Sequence, residues 1–411
     1  MKNEREEVKN TNLLYETDGM LTEFEAAVLE TEATEDGCRA VLDRTAFFPE
    51  GGGQKADTGV LVTEDGSRIR VKDVQTENQK AWHYLEGKLS PGDKVKGEVD
   101  AEVRYARMQI HGAEHLLSGI AHNLFGYENT GFHMTDHEAV FDLSGPLSDE
   151  QIRDIERRAN FAVFENRPIT ISFPSAKEAR EIEYRSKLDT YEGIRLVRIE
   201  GYDICACCAP QAKSTGQLGV IKIIDYMPHR GGTRITMTAG MDAYRDYVHL
   251  HDSNAEIVAM LSSKREETSE SVKDFMERMT SLREENARLS REMTEMVTEK
   301  VLRELRESSS ETTITPIFVR GINSKGLRDL VNECTKEHGM ICAFLEENGG
   351  YRYIFAVCAD QSESAGLQAF TKEFNASCSG KGGGSALMTE GVSTADRETI
   401  EKYFTHLPSK A

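Results

Sequence analysis

From Asp242 to Ser310 the chain contains neither glycine nor proline, and that stretch restricts its fold more than any other. The two residue types that end or kink helices are missing, while Glu, Arg, Met and Leu, all good helix formers, dominate. Val272, Phe275, Met279, Leu282, Asn286, Leu289, Met293 and Met296 recur at alternating spacings of three and four, an a/d seam sustained for about three heptads. Asn286 holds an a-type position, where a polar side chain fixes register. The stretch predicts a long helical arm, either folded on its own chain as a hairpin broken near ETSES or paired with a second copy as a coiled coil. Either way, it separates segments that must fold around different cores.

Ahead of the arm, residues 1–100 read as β-rich. VLDRTAFFPEGGGQKADTGVLV sets apolar runs on both sides of a glycine turn, and RIRVKDVQT, KAWHYLEG and DKVKGEVD follow at short, regular spacing. That pattern predicts a small barrel or curved sheet. Residues 101–243 change texture. AEVRYARMQIHGAEHLLSGIAHNLFG has helical periodicity, with Met108, Leu116, Ile120 and Leu124 on one side. A second helix is expected over LSDEQIRDIERRANFAVFENR, with Ser148 as its N-cap. The strand-like ITISF, IRLVRI, GVIKIID and TRITMTAG complete an α+β domain. The arm spans 244–310, and 311–411 alternates strand and helix patterns again, as a separate α/β domain does. The fold class is therefore α+β, in four parts.

Hydrophobic residues make up 38% of the 411 positions and charged residues 29%, the composition of an ordinary globular chain. No apolar run approaches the roughly 20 residues of a membrane span, and the charged opening MKNEREEVKNTN lacks the apolar centre of a secretory leader. A cytoplasmic address is expected, where thiols stay reduced and clustered cysteines read as metal ligands or reactive centres. The net charge of −20 argues against a protein that coats nucleic acid, but leaves room for a local basic groove. RYAR (Arg104 to Arg107), the segment Lys177 to Lys187, and Arg230, Arg234 and Lys381 are the cations expected at phosphates.

Two signals carry chemistry. His111 and His115 stand four apart in the helical segment, so both rings project from one face, a turn apart, and can share an ion. Gly112 follows the first histidine, so the HExxH pattern of metalloproteases does not apply. Far downstream, DICACCAPQAKSTG packs Cys205, Cys207 and Cys208 into four positions. Two imidazoles and a thiolate suit zinc; thiols buried as small hydrophobes at a strand end are the plainer alternative. The run EGGGQ (Glu50 to Gln54) lacks the spacing of the common nucleotide-binding loops, and a tight hairpin is its plainer reading.

RTAFFPEGGGQKADTG, HGAEHLLSGIAHNLFGYENTGFHM and IRLVRIEGYDICACCAPQAKSTGQLGVIKI, in this order, resemble the alanyl-tRNA editing proteins, freestanding relatives of the editing domain of alanyl-tRNA synthetase. Past the arm, the glycine-rich SGKGGGS reads as a loop, and SGKGGGSALMTEG resembles the glycine-rich signature of the DHHA1 domain that ends the family's long form. The middle domain would then be the editing domain, akin to the second additional domain of the synthetases. The resemblance implies hydrolysis of the ester joining serine or glycine to the tRNA for alanine, at one zinc ion held by an HxxxH pair and a CxxxH pair. His111 and His115 match the first pair and Cys207 the cysteine, but Gln211 stands where the last histidine belongs. A glutamine offers only a neutral, weak carbonyl oxygen, so the fourth position falls to Gln211, Cys208, Cys205 or water. The resemblance also implies that Thr45, Gln54 and the glycines Gly51, Gly52 and Gly53 line the amino-acid pocket, Thr45 offering its hydroxyl to a serine hydroxyl. Glu114 would orient a water. Lys381, Gly382 and Gly383 would grip the tRNA, and the arm or the tail would pair two copies. The competing expectation, motivated by Gln211, is a tRNA-binding protein with a structural zinc and no catalysis.

Overall fold

The computed structural model describes residues 11–35, 37–186, 190–307, 314–358 and 366–407. The chain divides into two compact units, Met1–Ala255 and Glu256–Ala411.

In the first unit, short β1 (Asn12–Leu13) runs parallel to β4 (Arg44–Thr45). The alternating segments around them form β2 (Glu23–Thr34), β3 (Gly37–Leu42), β5 (Gly59–Thr63), β6 (Arg68–Glu77), β7 (Lys80–Leu85) and β8 (Lys94–Val99), which close a barrel in the order β2-β3-β7-β6-β5-β8. Phe24, Ala26 and Val28 alternate inward along β2 and meet Leu61, Val71 and Val95 in its core. His83 on β7 is also fully buried. Its Nδ1 donates to the Ala40 carbonyl at 3.2 Å, leaving Nε2 to accept from the Thr45 hydroxyl at 2.8 Å. Burial holds this imidazole at about 4, so it is neutral at physiological pH.

Asp100 caps α1 (Ala101–Phe125) by accepting from the Val103 N–H, and Gly126 ends it in the left-handed region. Every residue from Ile110 to Ala121 is buried, so α1 is the axis of the unit instead of a one-sided amphipathic helix. Leu124, expected with Met108, Leu116 and Ile120 on a packed face, is exposed in the last turn. The expectation that RYAR meets phosphate fails. Arg104 has no exposed surface; it pairs with Asp57 and donates to the carbonyls of Gly19, at 2.9 Å, and Ala46. Arg107 donates to the Ala56 carbonyl. Both cations fasten α1 to the barrel, and a buried ion pair with its remaining donors satisfied is costly to break from one side.

Around α1 lie two antiparallel sheets. β9 (Asn129–Met134), β10 (Ala139–Leu143), β14 (Ile221–His229) and β15 (Gly232–Ala239) are ordered β14-β15-β10-β9, and β11 (Ile169–Ser172), β12 (Leu196–Ile199) and β13 (Asp203–Ala206) form the other. α2 (Asp149–Glu165) opens with the Ser148 cap, completed as a capping box by Gln151. Its Ile152, Ile155 and Ala159 join Leu116 and Leu117 of α1 in one core, where each large aliphatic chain stabilises by about 1.5–3 kcal/mol. Short α3 (Ala176–Ala179) precedes β12, and α4 (Gly240–Leu261) follows β15. α-Helix is interrupted over 262–267, with Ser262 at a φ of 51° and a 3-10 turn at Arg265–Glu267, so the break runs into the start of ETSES.

The second unit takes in the end of α4 from Glu256 and then α5 (Thr268–Glu307), a helix of 40 residues and hence about 60 Å. Its seam residues Val272, Phe275, Leu282, Leu289, Met293 and Met296 are exposed, while Val301 is buried in the unit's core. The sheet contains β16 (Pro316–Val319), β17 (Met340–Glu347), β18 (Gly350–Val357), β19 (Gly380–Gly384) and β20 (Met388–Ser393), in the order β16-β17-β18-β20-β19. Alternate residues of β17 face opposite cores: Ile341, Ala343 and Leu345 meet α6 (Ser324–Cys334), and Cys342 and Phe344 meet α7 (Leu367–Ser377) and α8 (Arg397–Thr405). The run GKGGG, expected as a loop, is the edge strand β19. Among the described residues no helix is long and apolar enough to cross a membrane.

Candidate metal centre

α1 delivers two donors. His111 and His115 lie one turn apart with ring centroids 4.9 Å from each other. The third, Cys207, comes from the turn just past β13, and the ligating atoms of the three lie within 4.8 Å of one another. Arg195, which no sequence signal singled out, braces that turn: Nη1 donates to the carbonyls of Cys207 at 2.6 Å and Ala209 at 3.1 Å, and Nε to Glu16 O at 2.9 Å.

The barrel supplies a fourth element. Gly51 and Gln54 exchange backbone hydrogen bonds of 3.1 and 3.0 Å across a two-residue turn. Gly52 and Gly53 have φ of 59° and 83°, the paired positive values of a type I′ turn. The Met134 N–H donates to Gly53 O at 3.0 Å, and a Cβ on Gly53 would lie 2.7 Å from the Phe132 carbonyl oxygen, so the turn sits directly on β9. It aims Gln54 at His111, with Oε1 2.8 Å from Nδ1. His111 therefore donates through Nδ1 and leaves the lone pair of Nε2 facing Cys207 Sγ at 3.6 Å. EGGGQ is a tight hairpin and a site element at once.

His115 is backed in a similar way. Glu114 Oε2 lies 3.5 Å from its Nδ1, and Cys205 Sγ lies 3.3 Å from the same nitrogen. Glu114 is not a solvated helix charge: it is buried and accepts from the Ser118 hydroxyl and the Asn129 amide. Cys205, His115 and Asp203 form a second close group. Both Asp203 oxygens, however, accept from the Arg185 guanidinium at 2.8 Å, so this group is a buried ion pair with a thiol beside it.

Burial controls the electrostatics. It lowers His111 to about 4 and His115 well below its usual range, and pushes the Cys207 thiol up to about 12. Without an ion the donors are neutral imidazoles and a neutral thiol, and a divalent cation must displace the Cys207 proton. Among the described residues, Gln54 Nε2, Gln211 Oε1 and Arg195 Nη2 are buried without hydrogen-bond partners. Each such atom ordinarily costs about 1–3 kcal/mol. Orphans beside two nitrogens and a sulfur mark a place built for something more, and the donor set fits zinc.

Other expected site residues lie elsewhere. Thr45 is fully buried, its hydroxyl bonded to His83 and to the Phe47 N–H at 3.1 Å. A substrate hydroxyl would have to compete with His83 for it. Lys381, Gly382 and Gly383 belong to β19 of the second unit. Of the expected phosphate contacts, Lys177 and Arg230 are exposed, Arg234 pairs with Asp142 at 2.7 Å, and Lys187 lies outside the described residues. Two surface clefts of ≈ 420 and ≈ 890 Å³ share Asn123, Gly201 and Tyr202 near the end of α1, and neither is lined by His111, His115 or Cys207.

A family model described as tRNA synthetases class II (A) matches residues 2–103, and one described as threonyl and alanyl tRNA synthetase second additional domain matches residues 194–236. The alanine–tRNA ligase of Methanopyrus kandleri is 31% identical over 401 residues, 94% of this chain and 43% of that protein. The alanyl-tRNA editing protein AlaX-L of Pyrococcus horikoshii is 27% identical over 405 residues, 96% of this chain and 98% of that one. The chain thus spans less than half of the ligases it matches and nearly all of the editing protein. The solved C-Ala domain of Aquifex aeolicus alanyl-tRNA synthetase overlays at a TM-score of 0.21 and 14% identity, covering 22% of this chain and 87% of that domain, which is too slight to argue from.

Proposed function

The chain belongs to the alanyl-tRNA editing proteins, and on that premise we propose that it hydrolyses the ester of tRNA for alanine wrongly charged with serine or glycine, using zinc. The observation that carries this reading is the meeting of His111, His115 and Cys207, with 96 residues between the first histidine and the cysteine, at one buried point touched by Gln54. These three residues would hold the ion. When bound, the ion would polarise the ester carbonyl or bring the pKa of a water to about 7.

The chain's own groups do the rest. Gln54 fixes the ring of His111, and its orphaned Nε2 is a buried donor available to an ester oxygen. Gly51, Gly52 and Gly53 keep side chains out of the way where the acceptor end approaches. Glu114 holds His115 from behind rather than orienting a water. Four parts with boundaries near 100, 243 and 310 share the work. The tail is the DHHA1 domain, gripping tRNA through Lys381, Gly382 and Gly383, and the exposed seam of α5 pairs two copies. Translation places the protein in the cytoplasm.

The decisive experiment incubates purified protein with seryl-tRNA for alanine, with and without chelator. Release of serine that chelation abolishes and zinc restores is the expected result. Gln211 favours one other reading, a tRNA-binding protein whose zinc is structural; tRNA retention with deacylation at the buffer rate would establish it instead.

A further inference from the structure

We propose that Gln211 completes this centre as its fourth protein donor through the side-chain oxygen, an inference that rests on the zinc reading above. Gln211 is 2% exposed, yet its Oε1 has no hydrogen-bond partner among the described residues. Its Nε2 lies 3.5 Å from Cys207 Sγ, so the amide already touches one of the three donors. The bare oxygen thus belongs to an amide in contact with one of the three donors, where it is open to a cation.

The backbone under Gln211 is fixed from the barrel side. A Cβ on Gly19 would lie 2.6 Å from both the Gln211 nitrogen and its carbonyl oxygen, and the Gly19 carbonyl is the one that Arg104 binds. The staple that joins α1 to the barrel thus also sets the position of the residue four past Cys207.

The rival thiols lie outside the group formed by His111, His115 and Cys207. Cys205 lies nearest the nitrogen of His115 that Glu114 also faces, 3.3 Å from Nδ1 against 3.9 Å from Nε2, and shares its surroundings with the Asp203–Arg185 pair. Cys208 is an exposed residue whose sulfur flanks the Gly52 turn, with 3.9 Å between Sγ and a Cβ built there. An amide oxygen is a weaker donor than the imidazole found in the family pattern, so this centre holds its ion less tightly and keeps that position exchangeable.

Cobalt(II) substitution of the full chain tests the assignment without reference to activity. The intensity of the sulfur-to-cobalt charge-transfer band reports the number of thiolates, and the ligand-field bands report coordination number. A four-coordinate ion with one thiolate is expected. Gln211→Ala should weaken cobalt and zinc affinity roughly tenfold, the lower end of what losing a polar metal partner costs. Gln211→His should strengthen it by a similar factor with the thiolate count unchanged, and it guards against misfolding of the alanine variant, as do melting curves of both without metal. Two thiolates in the unmodified chain, or unchanged affinity in a folded Gln211→Ala protein, would overturn the inference while leaving the zinc reading intact. Failure of the unmodified chain to take up either metal would remove both.

Discussion

Two glycine runs, EGGGQ and GKGGG, look alike on paper and act by different physics. In the first, positive φ at Gly52 and Gly53 folds two residues back so that Gln54 reaches His111, and Phe132 leaves no room for a side chain at Gly53. In the second, the backbone is extended as edge strand β19, exposed along most of its length, and a Cβ on Gly383 would touch nothing within 4 Å. One run needs glycine for conformation and close approach; part of the other merely tolerates it. The lesson is that a glycine's role follows from the neighbours packed on it.

Substitution is the sharpest way to break that contrast. Gly53→Ala should have the largest effect: a side chain at positive φ against backbone costs roughly 1–3 kcal/mol, and displacing Gln54 by about 1 Å should reduce deacylation about a hundredfold. Chemical denaturation and single-turnover deacylation would check both, and an alanine variant of native stability and rate would show that the turn is not needed.

Acid should separate the two units next. His83, in the barrel that carries the first run, is held at about 4 in the fold against 6.5 when unfolded. Its folded value is depressed, so stability is complete above pH 6.5 and falls as pH drops toward 4, because the unfolded chain takes the proton first. The loss amounts to roughly 3 kcal/mol. Denaturation of the barrel-containing unit, followed through Trp82 fluorescence from pH 7 to 4, measures the His83 share as the difference between the parent and His83→Gln, since His111 and His115, depressed in the same unit, contribute to both curves.

Gln54→Ala keeps the turn and removes only the partner of His111 Nδ1, so zinc affinity should fall 10–100-fold with little change in folding. Competition against a chromophoric chelator reads this directly. Gly383→Ala should be the mildest, within about 0.5 kcal/mol of the parent in melting experiments. Its companion Lys381→Ala should lower the salt dependence of tRNA binding by about one phosphate contact; an unchanged slope would detach β19 from tRNA.

What the sequence disclosed was what is local. Two histidines four apart on a helix, the Ser148 cap and the barrel's alternating strands depend on neighbours a few residues away. Cys207 was singled out only through family resemblance, since nothing in CACC says which sulfur meets both histidines. Arg104 read as a surface cation because its partner, Asp57, is 47 residues away and only barrel closure brings them together. The Thr45 hydroxyl looked free for the same reason, its partner His83 lying on a strand 38 residues on. β19 was missed because glycine has no side chain to alternate, so no period-two signal exists to be read. Glu114 and Ser118, four apart on α1, were legible as a pair and went unread.

The guanidinium of Arg104 has a bearing on how such a protein can be inherited. A gene split at residue 100, the boundary that texture alone suggests, would give its recipient a helix bearing a charge with no carboxylate to meet it, and would leave behind the turn that steadies His111. Recombination that keeps the centre whole must therefore carry barrel and helix together, and the tolerable crossover lies beyond the last strand of the first unit.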